Sequence, residues 1–326
     1  MQRFLVVYPN RDYGRLMWRD LERIDEVDFI EEPLYIKNLL LKNLFRFHFS
    51  FRINNIVDLP FKRIWDDCYC LMDYSFNAVD KYFIIFTDSA LGNYRASILN
   101  KIKRRGDIVL VLTMINSFNR MKKIIQPMLN CFDKIYTFDR EEAQQYGFEY
   151  YPTVYSKIEL SFSAKKQEIE PFSCFFVGVA KDRLCKLINI YDKLEKIGAV
   201  PCFFISGVTK YKQKSRKKVT YNKWLPYSTV LKKILASECI VEIMDKNNAG
   251  VTLRTLEAIC YNKKLVTNNR KILESPFYNS DYIFLLDQNE DITMEFFEKN
   301  RLVEYRYDER YSPILFIKKL KDEIYG

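Results

Sequence analysis

Short runs of apolar residues, rich in Val, Ile, Phe and Tyr, recur along the chain between longer segments with a helical pattern. Few polar residues interrupt these runs, which is typical of strands covered on both faces, as in a parallel sheet. In the first half the runs fall at residues 4–8, 82–86, 108–113 and 134–138. In the second half they fall at 174–177, 201–205, 219–221, 240–243, 264–267 and 282–286.

Apolar residues three and four positions apart predict amphipathic helices between these strands. In the second half we expect helices at residues 181–197, 226–237 and 252–261. A last helix should begin at Ser312-Pro313, because proline suits a first helical turn. Strand and helix alternate so regularly that the chain is predicted to be α/β, with right-handed crossovers. A polar segment without periodicity, residues 155–171, predicts the boundary between two such halves.

The composition excludes or disfavours several classes of protein and of functional site. Of the 326 residues, 48% are hydrophobic and 16% aromatic, which excludes a disordered chain. The single histidine, His48, excludes multi-histidine metal sites. Most of the eight cysteines lie in apolar runs, as expected of small buried side chains in a reducing compartment. No motif of the GxGxxG, Walker A or GxSxG type is present, which disfavours standard dinucleotide, P-loop and α/β-hydrolase sites.

The length of the apolar runs and the net charge indicate where in the cell the protein acts. No apolar run approaches the roughly 20 residues that span a bilayer, and the apolar start of the chain stops at Pro9. We therefore expect a cytoplasmic protein. Its 52 Lys and Arg against 42 Asp and Glu give a net charge of +10, which would favour peripheral contact with the anionic cytoplasmic face of the inner membrane.

The segment after the strand at 240–243 carries the clearest chemistry. A polar loop leads to Gly250, and a helix follows at once. The free N–H groups of Gly250, Val251 and Thr252 would favour an anion such as a phosphate. Arg254 could add positive charge, and Glu257 could accept two ribose hydroxyls. The simpler alternative is a plain helix start, capped by Thr252, with an Arg254–Glu257 pair worth a few tenths of a kcal/mol. An arginine so near a helix N-terminus is unfavourable without an anion, which favours the ligand interpretation.

A second candidate follows the strand at 174–177. Gly178 stands at the strand end, and Lys181 and Arg183 open the next helix. Two cations beside exposed N–H groups suit a diphosphate, whereas the alternative is a solvated helix start. The carboxyl ends of parallel strands lie at one edge of a sheet, so the two candidates should lie together.

At this point the second half resembles the nucleotide-binding domain of GT-B glycosyltransferases, especially those of bacterial capsule, lipopolysaccharide and exopolysaccharide synthesis. The resemblance covers residues 173–269. It is carried by Phe176-Val177-Gly178 with Lys181 and Arg183, by Trp224-Leu225-Pro226-Tyr227, and by residues 250–258 and 263–269. The first half is similar only in layout, in residues 133–139 and in Tyr151-Pro152.

The resemblance implies two Rossmann-like domains facing each other across a cleft. Residues 1–158 would bind the acceptor, residues 159–310 the nucleotide-sugar donor, and the helix at 311–326 would cross back to the first domain. It also implies a hexosyltransferase-type enzyme with no cofactor or essential metal. Glu257 would hold the ribose, residues 250–252 with Arg254 the diphosphate, and Trp224-Leu225 the base. Many retaining members carry an acidic residue eight positions before this glutamate. Ala249 stands there, so inversion and retention both stay open.

Catalysis requires that the negative charge on the leaving phosphate be stabilised. The candidates for this role are Lys181, Arg183 and Arg254, together with the helix start at residues 250–252. An inverting enzyme also needs a base from the first half. His48 is the one imidazole, and Asp88 follows the strand at 82–86. The simpler alternatives are a packed histidine for the first and a helix N-cap for the second.

The resemblance also implies a glycan or lipid-linked glycan as the acceptor. Six apolar residues between 39 and 47 alternate with Lys37, Lys42 and Arg46, with Arg52 beyond them. This segment would either lie at a membrane interface and admit a lipid-linked acceptor or, more commonly, form a core helix with a charged edge. The alternative functions are a catalytically inactive GT-B-like scaffold in a polysaccharide assembly complex and, less favoured, a basic nucleic-acid-binding protein. The dispersed charges and the absence of a binding motif predict no nucleic-acid partner.

Overall fold

A computed structural model describes residues 1–8, 12–31, 36–54, 56–57, 59–159, 169–244, 250–286, 291–299 and 302–325. The chain divides into two compact units. Met1–Ser156 with Phe316–Gly326 form the N-terminal unit, and Lys157–Leu315 form the C-terminal unit. Each unit is built on one sheet of six strands.

The sheet of the N-terminal unit is parallel throughout. Its strands are β1 (Gln2–Val7), β2 (Val27–Ile30), β3 (Lys81–Thr87), β4 (Asp107–Thr113), β5 (Lys134–Thr137) and β6 (Glu149–Tyr150), in the order β2-β1-β3-β4-β5-β6. The α-helices are α1 (Asp12–Leu16), α2 (Leu39–His48), α3 (Phe51–Asn54), α4 (Cys70–Asp73), α5 (Ala96–Lys103), α6 (Phe118–Ile125) and α7 (Arg140–Tyr146). The four strands predicted from the apolar runs are confirmed, whereas β2 and β6 were missed.

The C-terminal unit repeats this plan. Its strands are β7 (Glu170–Val179), β8 (Val200–Ser206), β9 (Val219–Tyr221), β10 (Ser237–Glu242), β11 (Lys264–Thr267) and β12 (Ile283–Leu285), parallel in the order β12-β11-β10-β7-β8-β9. The helices are α8 (Leu184–Lys196), α9 (Tyr227–Ala236), α10 (Leu253–Cys260) and α11 (Met294–Glu298). All six predicted strands and the three predicted helices are present. Helix α8 begins three residues later than expected, because Lys181 has a left-handed backbone (φ 48°) that a helix cannot include.

The last helix, α12 (Pro313–Tyr325), begins at the proline as predicted. From Phe316 onward it belongs to the N-terminal unit. The Phe316 ring packs on three aromatic rings of that unit, those of Trp18, Tyr136 and Tyr151, at centroid distances of 6.0, 5.1 and 4.8 Å. Aromatic packing of this kind adds to the burial of the ring itself.

A buried lysine joins β11 to α11. Lys264 is fully buried, and its Nζ donates to the carbonyls of Phe296, Phe297 and Lys299 at 2.6, 2.8 and 2.8 Å. These carbonyls lie at the end of α11, where the last turn of a helix lacks intrahelical partners. One buried ammonium group therefore supplies donors to three carbonyls at the end of this helix.

We expect the substitution Lys264→Met to lower the free energy of unfolding by about 3 kcal/mol, because it leaves buried carbonyls without donors. Urea unfolding followed by circular dichroism measures the change. Lys186→Met, at an exposed position of α8, is the matched control and should change stability little. Wild-type stability in the Lys264→Met protein would contradict this account of α11.

Candidate functional site

The two predicted motifs of the C-terminal unit lie at the same edge of its sheet. Strands β7 and β10 are parallel neighbours, with Cys174 opposite Cys239. Arg183, the residue before α8, donates to the carbonyl of Ile243 just after β10 and to that of Val179 at 3.1 Å. Its guanidinium thus joins the ends of the two strands that carry the candidate loops.

Gly178 makes room for the ring of Phe176, on which this arginine lies. It is still within β7, opposite Ile205. A Cβ atom at this position would lie 3.2 Å from Cζ of Phe176 and 3.4 Å from Nη2 of Arg183. The guanidinium carbon of Arg183 lies 5.8 Å from the centroid of the Phe176 ring, within cation–π distance. Gly178 therefore leaves space for the ring that contacts Arg183, and exposed Lys181 follows in the turn.

The second loop is described from Gly250 onward. Residues 245–249, including Ala249, lie outside the described residues. Gly250 has φ 109°, a conformation that favours glycine, and its carbonyl accepts from Nδ2 of Asn269 at 2.8 Å. The amides of Gly250, Val251 and Thr252 donate no hydrogen bond to another described residue. Within the described part of the chain, these N–H groups of the helix start have no acceptor.

Thr252 caps helix α10, as the simpler alternative predicts. Its Oγ1 accepts from the backbone amides of Arg254 at 3.2 Å and Thr255 at 3.5 Å. This is the usual way in which a threonine at the N-cap position satisfies the amides of a first turn. Capping and anion binding do not compete here, because they use different amides.

Glu257 is fully buried and holds two partners. Its Oε1 accepts from the Tyr227 hydroxyl at 2.7 Å, and its Oε2 accepts from the guanidinium of Arg254. Burial raises the pKa of the Glu257 carboxyl, while Arg254 and Tyr227 act in the opposite direction. The Arg254–Glu257 pair weighed as an alternative is thus present. It balances the charge of an arginine near a helix N-terminus without any ligand.

Trp224 and Leu225 precede the helix that carries Tyr227. The Trp224 side chain is 71% exposed, and Leu225 is half-buried. Because Tyr227 donates to Glu257, this loop is tied to the buried carboxylate. An exposed indole three residues from that tie can stack on a planar ring.

The sequence analysis missed Glu242, at the end of β10. This carboxylate is buried and accepts from the hydroxyls of Thr252, Thr255 (3.0 Å) and Thr267 (2.5 Å). It thereby holds the start of α10 against the ends of β10 and β11. The signal was available as a glutamate inside an apolar run, followed by threonines, since a buried charge needs partners.

Asp88 lies just after β3, where it was predicted. It is fully buried, and it accepts from the backbone amide of Asn116 at 2.8 Å and from that side chain at 3.3 Å. Burial raises the pKa of the Asp88 carboxyl to about 6, although hydrogen bonds from backbone amides lower it in part. In the described conformation Asp88 joins the end of β3 to the loop after β4.

His48 ends helix α2, and both of its ring nitrogens are used. Trp65 Nε1 donates to Nδ1 at 2.9 Å, and Nε2 lies 2.6 Å from the carbonyl oxygen of Pro60. An indole can only donate, so Nδ1 carries no proton and Nε2 donates to Pro60. This geometry favours the packed histidine over a base, because no lone pair is left to take a proton.

No group of three or more His, Cys, Asp or Glu side chains in the described ranges could hold a metal ion. Among the same residues no helix is long and apolar enough to cross a membrane.

No protein-family model matches the chain, and no curated protein matches it in sequence. Solved structures do match in fold. An alpha-glucosyltransferase in complex with UDP and a 13-mer DNA superposes with a TM-score of 0.57 at 11% identity, over 99% of each chain. Sucrose-phosphate synthase from Thermosynechococcus elongatus gives 0.56 at 9% identity, over 100% of this chain and 99% of that one. A lipopolysaccharide outer core galactosyltransferase in its apo form gives 0.50 at 11%, over 100% and 99%.

These structures are GT-B glycosyltransferases, and they cover nearly the whole chain. At such low identity the similarity concerns the fold alone. The predicted fold class is confirmed: two α/β units, each with a six-stranded parallel sheet, in the GT-B arrangement of elements along the chain.

Proposed function

We propose that this protein is a glycosyltransferase that moves a sugar from a nucleotide-sugar donor to an acceptor. The observation that carries the proposal is the buried Glu257 carboxylate, held by Tyr227 and Arg254 on a helix whose first amides donate to no other described residue. The fold supports it, because similar structures include glycosyltransferases and one of these is described with UDP. In open α/β sheets, ligands bind at the carboxyl ends of the strands, where these residues lie.

Donor binding would replace the hydrogen-bond partners that Glu257 and Arg254 now have. The ribose hydroxyls would donate to Glu257 and displace Arg254, which would turn toward the diphosphate. The amides of residues 250–252 would bind the same phosphates, and Trp224 with Leu225 would hold the base. No buried polar group is then left without a hydrogen-bond partner. The exchange therefore avoids the free-energy cost of an unsatisfied buried group.

The leaving group is a nucleoside diphosphate, so the transition state builds negative charge on the phosphate. Lys181, Arg183 and Arg254 with the helix start would stabilise that charge, since cations and amides already in place need little reorganisation. We propose that these groups act without a metal ion or other cofactor.

The finer assignment is hexosyl transfer to a lipid-linked glycan in bacterial surface polysaccharide synthesis. It is supported by the motifs shared with such enzymes between residues 173 and 269, and by the similarity to a lipopolysaccharide core galactosyltransferase. If the reaction inverts, Asp88 is the better base of the two candidates. A carboxyl group with a pKa of about 6 is ionised at neutral pH and still basic enough to take a proton.

We expect one of UDP, GDP, CMP or dTDP to raise the thermal stability of the protein. At a hundred times its dissociation constant such a ligand adds about 2.7 kcal/mol. Glu257→Gln should weaken binding of that nucleotide by about tenfold or more, because the ribose hydroxyls lose a charged acceptor. Titration of the wild type and the variant with the nucleotide and its 2′-deoxy and 3′-deoxy analogues measures the effect.

The deoxy analogues make this test specific to the ribose. In the wild type the analogue lacking the bonded hydroxyl should bind more weakly, and in Glu257→Gln this difference should shrink. Glu298→Gln, at an exposed position of α11, is the matched control. Equal affinities in wild type and Glu257→Gln would refute the assignment, and binding without sugar transfer to any acceptor would indicate the inactive scaffold.

Arg254→Gln should weaken binding of the nucleoside diphosphate by about tenfold and binding of the nucleoside less, because a charge-assisted hydrogen bond to phosphate is lost. Sugar-nucleotide hydrolysis or transfer should persist in excess EDTA if protein cations suffice. Calorimetry with both ligands and an activity assay with chelator check the two statements. Activity that EDTA removes and Mg²⁺ restores would show that a metal, rather than these side chains, neutralises the diphosphate.

Asp88 generates a pH prediction. Its raised pKa means that the folded protein holds this proton between about pH 4 and pH 6 while the unfolded chain does not. Stability relative to Asp88→Asn should therefore fall by up to about 3 kcal/mol as the pH rises through that window. Urea unfolding of both proteins at several pH values measures it.

The same titration separates a base from a joining residue. A base would make kcat/KM fall below about pH 6, and Asp88→Asn would lose both the activity and this acid limb. If Asp88→Asn keeps wild-type activity and loses only the stability trend, the base assignment is wrong.

A further inference from the structure

Helix α2 packs against the protein through a single buried residue, and most of its apolar side chains are exposed. Phe45 is the one residue of this helix that is buried, and it packs on Phe49 and Trp65 at centroid distances of 4.5 and 5.4 Å. Leu40, Leu44 and Phe47 are 79, 50 and 56% exposed. At 100° per residue these three lie within an arc of roughly 60°, away from Phe45. The core helix expected from the sequence is thus corrected, because its leucines do not enter the core.

A second group of exposed apolar side chains follows α2. Ile56, Val57, Phe61 and Ile64 are between 57 and 85% exposed. Together with Leu40, Leu44 and Phe47 they are called here the exposed apolar set. Isolated apolar residues on a surface are ordinary, but seven from two adjacent segments call for an explanation.

His48 connects the two groups. Its ring bonds to Pro60 and Trp65, and its carbonyl accepts from Nδ2 of Asn54 at 2.9 Å. The end of α2 is thereby fixed to the segment that carries Phe61 and Ile64. The one histidine of the chain, first considered as a base, orders this surface.

The charge of the same region is strongly positive. Residues 36–65 hold six Lys and Arg and one acidic residue, Asp58, for a net charge of +5. This is half of the net charge of the whole chain in fewer than a tenth of its residues. Residues 59–64 also line a surface groove with Arg95, so that Lys62, Arg63 and Arg95 border apolar walls.

We propose that the exposed apolar set docks the N-terminal unit on a bilayer of anionic lipid. Leucine and phenylalanine on a helix that lies in the interface enter the boundary between headgroups and acyl chains, while lysine and arginine bind headgroup phosphates. Charge argues against a second copy as the occupant, because a two-fold contact would place one +5 region against another. The proposal does not rest on the donor site, which lies in the C-terminal unit.

Vesicle flotation tests the proposal on the full chain. Vesicles of phosphatidylcholine alone and with 30% phosphatidylglycerol are compared at roughly 0.1 and 0.5 M NaCl. We expect binding to the anionic vesicles, weakened by salt. The triple substitution L40S, L44S and F47S should reduce binding by about tenfold or more, and R46Q with R63Q should reduce it mainly at low salt.

Matched controls remove the same chemistry from elsewhere. V79S with L302S removes two side chains that are about 80% exposed, and K186Q with K196Q removes two exposed cations of α8. Both should bind vesicles as the wild type does. Circular dichroism and nucleotide binding should be unchanged in every variant, which separates this proposal from the donor site.

Three results would overturn the proposal. The first is no binding of the wild type to either vesicle, and the second is equal binding by the triple variant and its control. The third is self-association in light scattering that the triple variant abolishes, which would make the surface an interface between copies of the chain.

Discussion

The buried Glu242 carboxylate is the interaction on which the candidate site depends. It ends β10 and accepts hydroxyl donors from Thr252, Thr255 and Thr267, that is, from the start of α10 and the end of β11. A buried carboxylate without donors would be very costly, so the three hydroxyls and the charge require one another. The position of the helix start follows from this arrangement. Arg254 and Glu257 are then placed one turn along the same helix.

The N-terminal unit solves the same problem in the same way. Glu142 is buried and accepts from the Ser117 hydroxyl at 2.5 Å and from the backbone amides of Phe118 and Asn119 at 2.8 and 3.1 Å. These amides open helix α6, which follows β4. Here the glutamate itself accepts from the amides of the helix start, whereas Glu242 acts through threonine hydroxyls, and the amides of residues 250–252 donate to no other described residue. The difference explains why the anion site is proposed in the C-terminal unit.

Much of the fold could be predicted, because strands covered on both faces are written as continuous apolar runs. The two missed strands lack that signal. Strand β2 contains Asp28, whose carboxylate accepts from the Tyr74 hydroxyl at 2.5 Å, and β6 is only two residues long. In the candidate site, residues next to strand ends could be predicted from their position. Glu242 and Tyr227 were not, because their roles depend on partners 10 to 30 residues away in sequence.

Helix α2 shows where a pattern of apolar residues stops being informative. Leu39, Leu40, Leu41 and Leu44 lie on several sides of the helix, so no single stripe marks the face that meets the protein. An apolar helix flanked by cations has the same composition whether it enters a core or rests on lipid. The structure shows which residue of the helix the protein covers, and that residue is Phe45. Once one aromatic ring is anchored against Trp65, the helix geometry alone turns Leu40 and Leu44 outward.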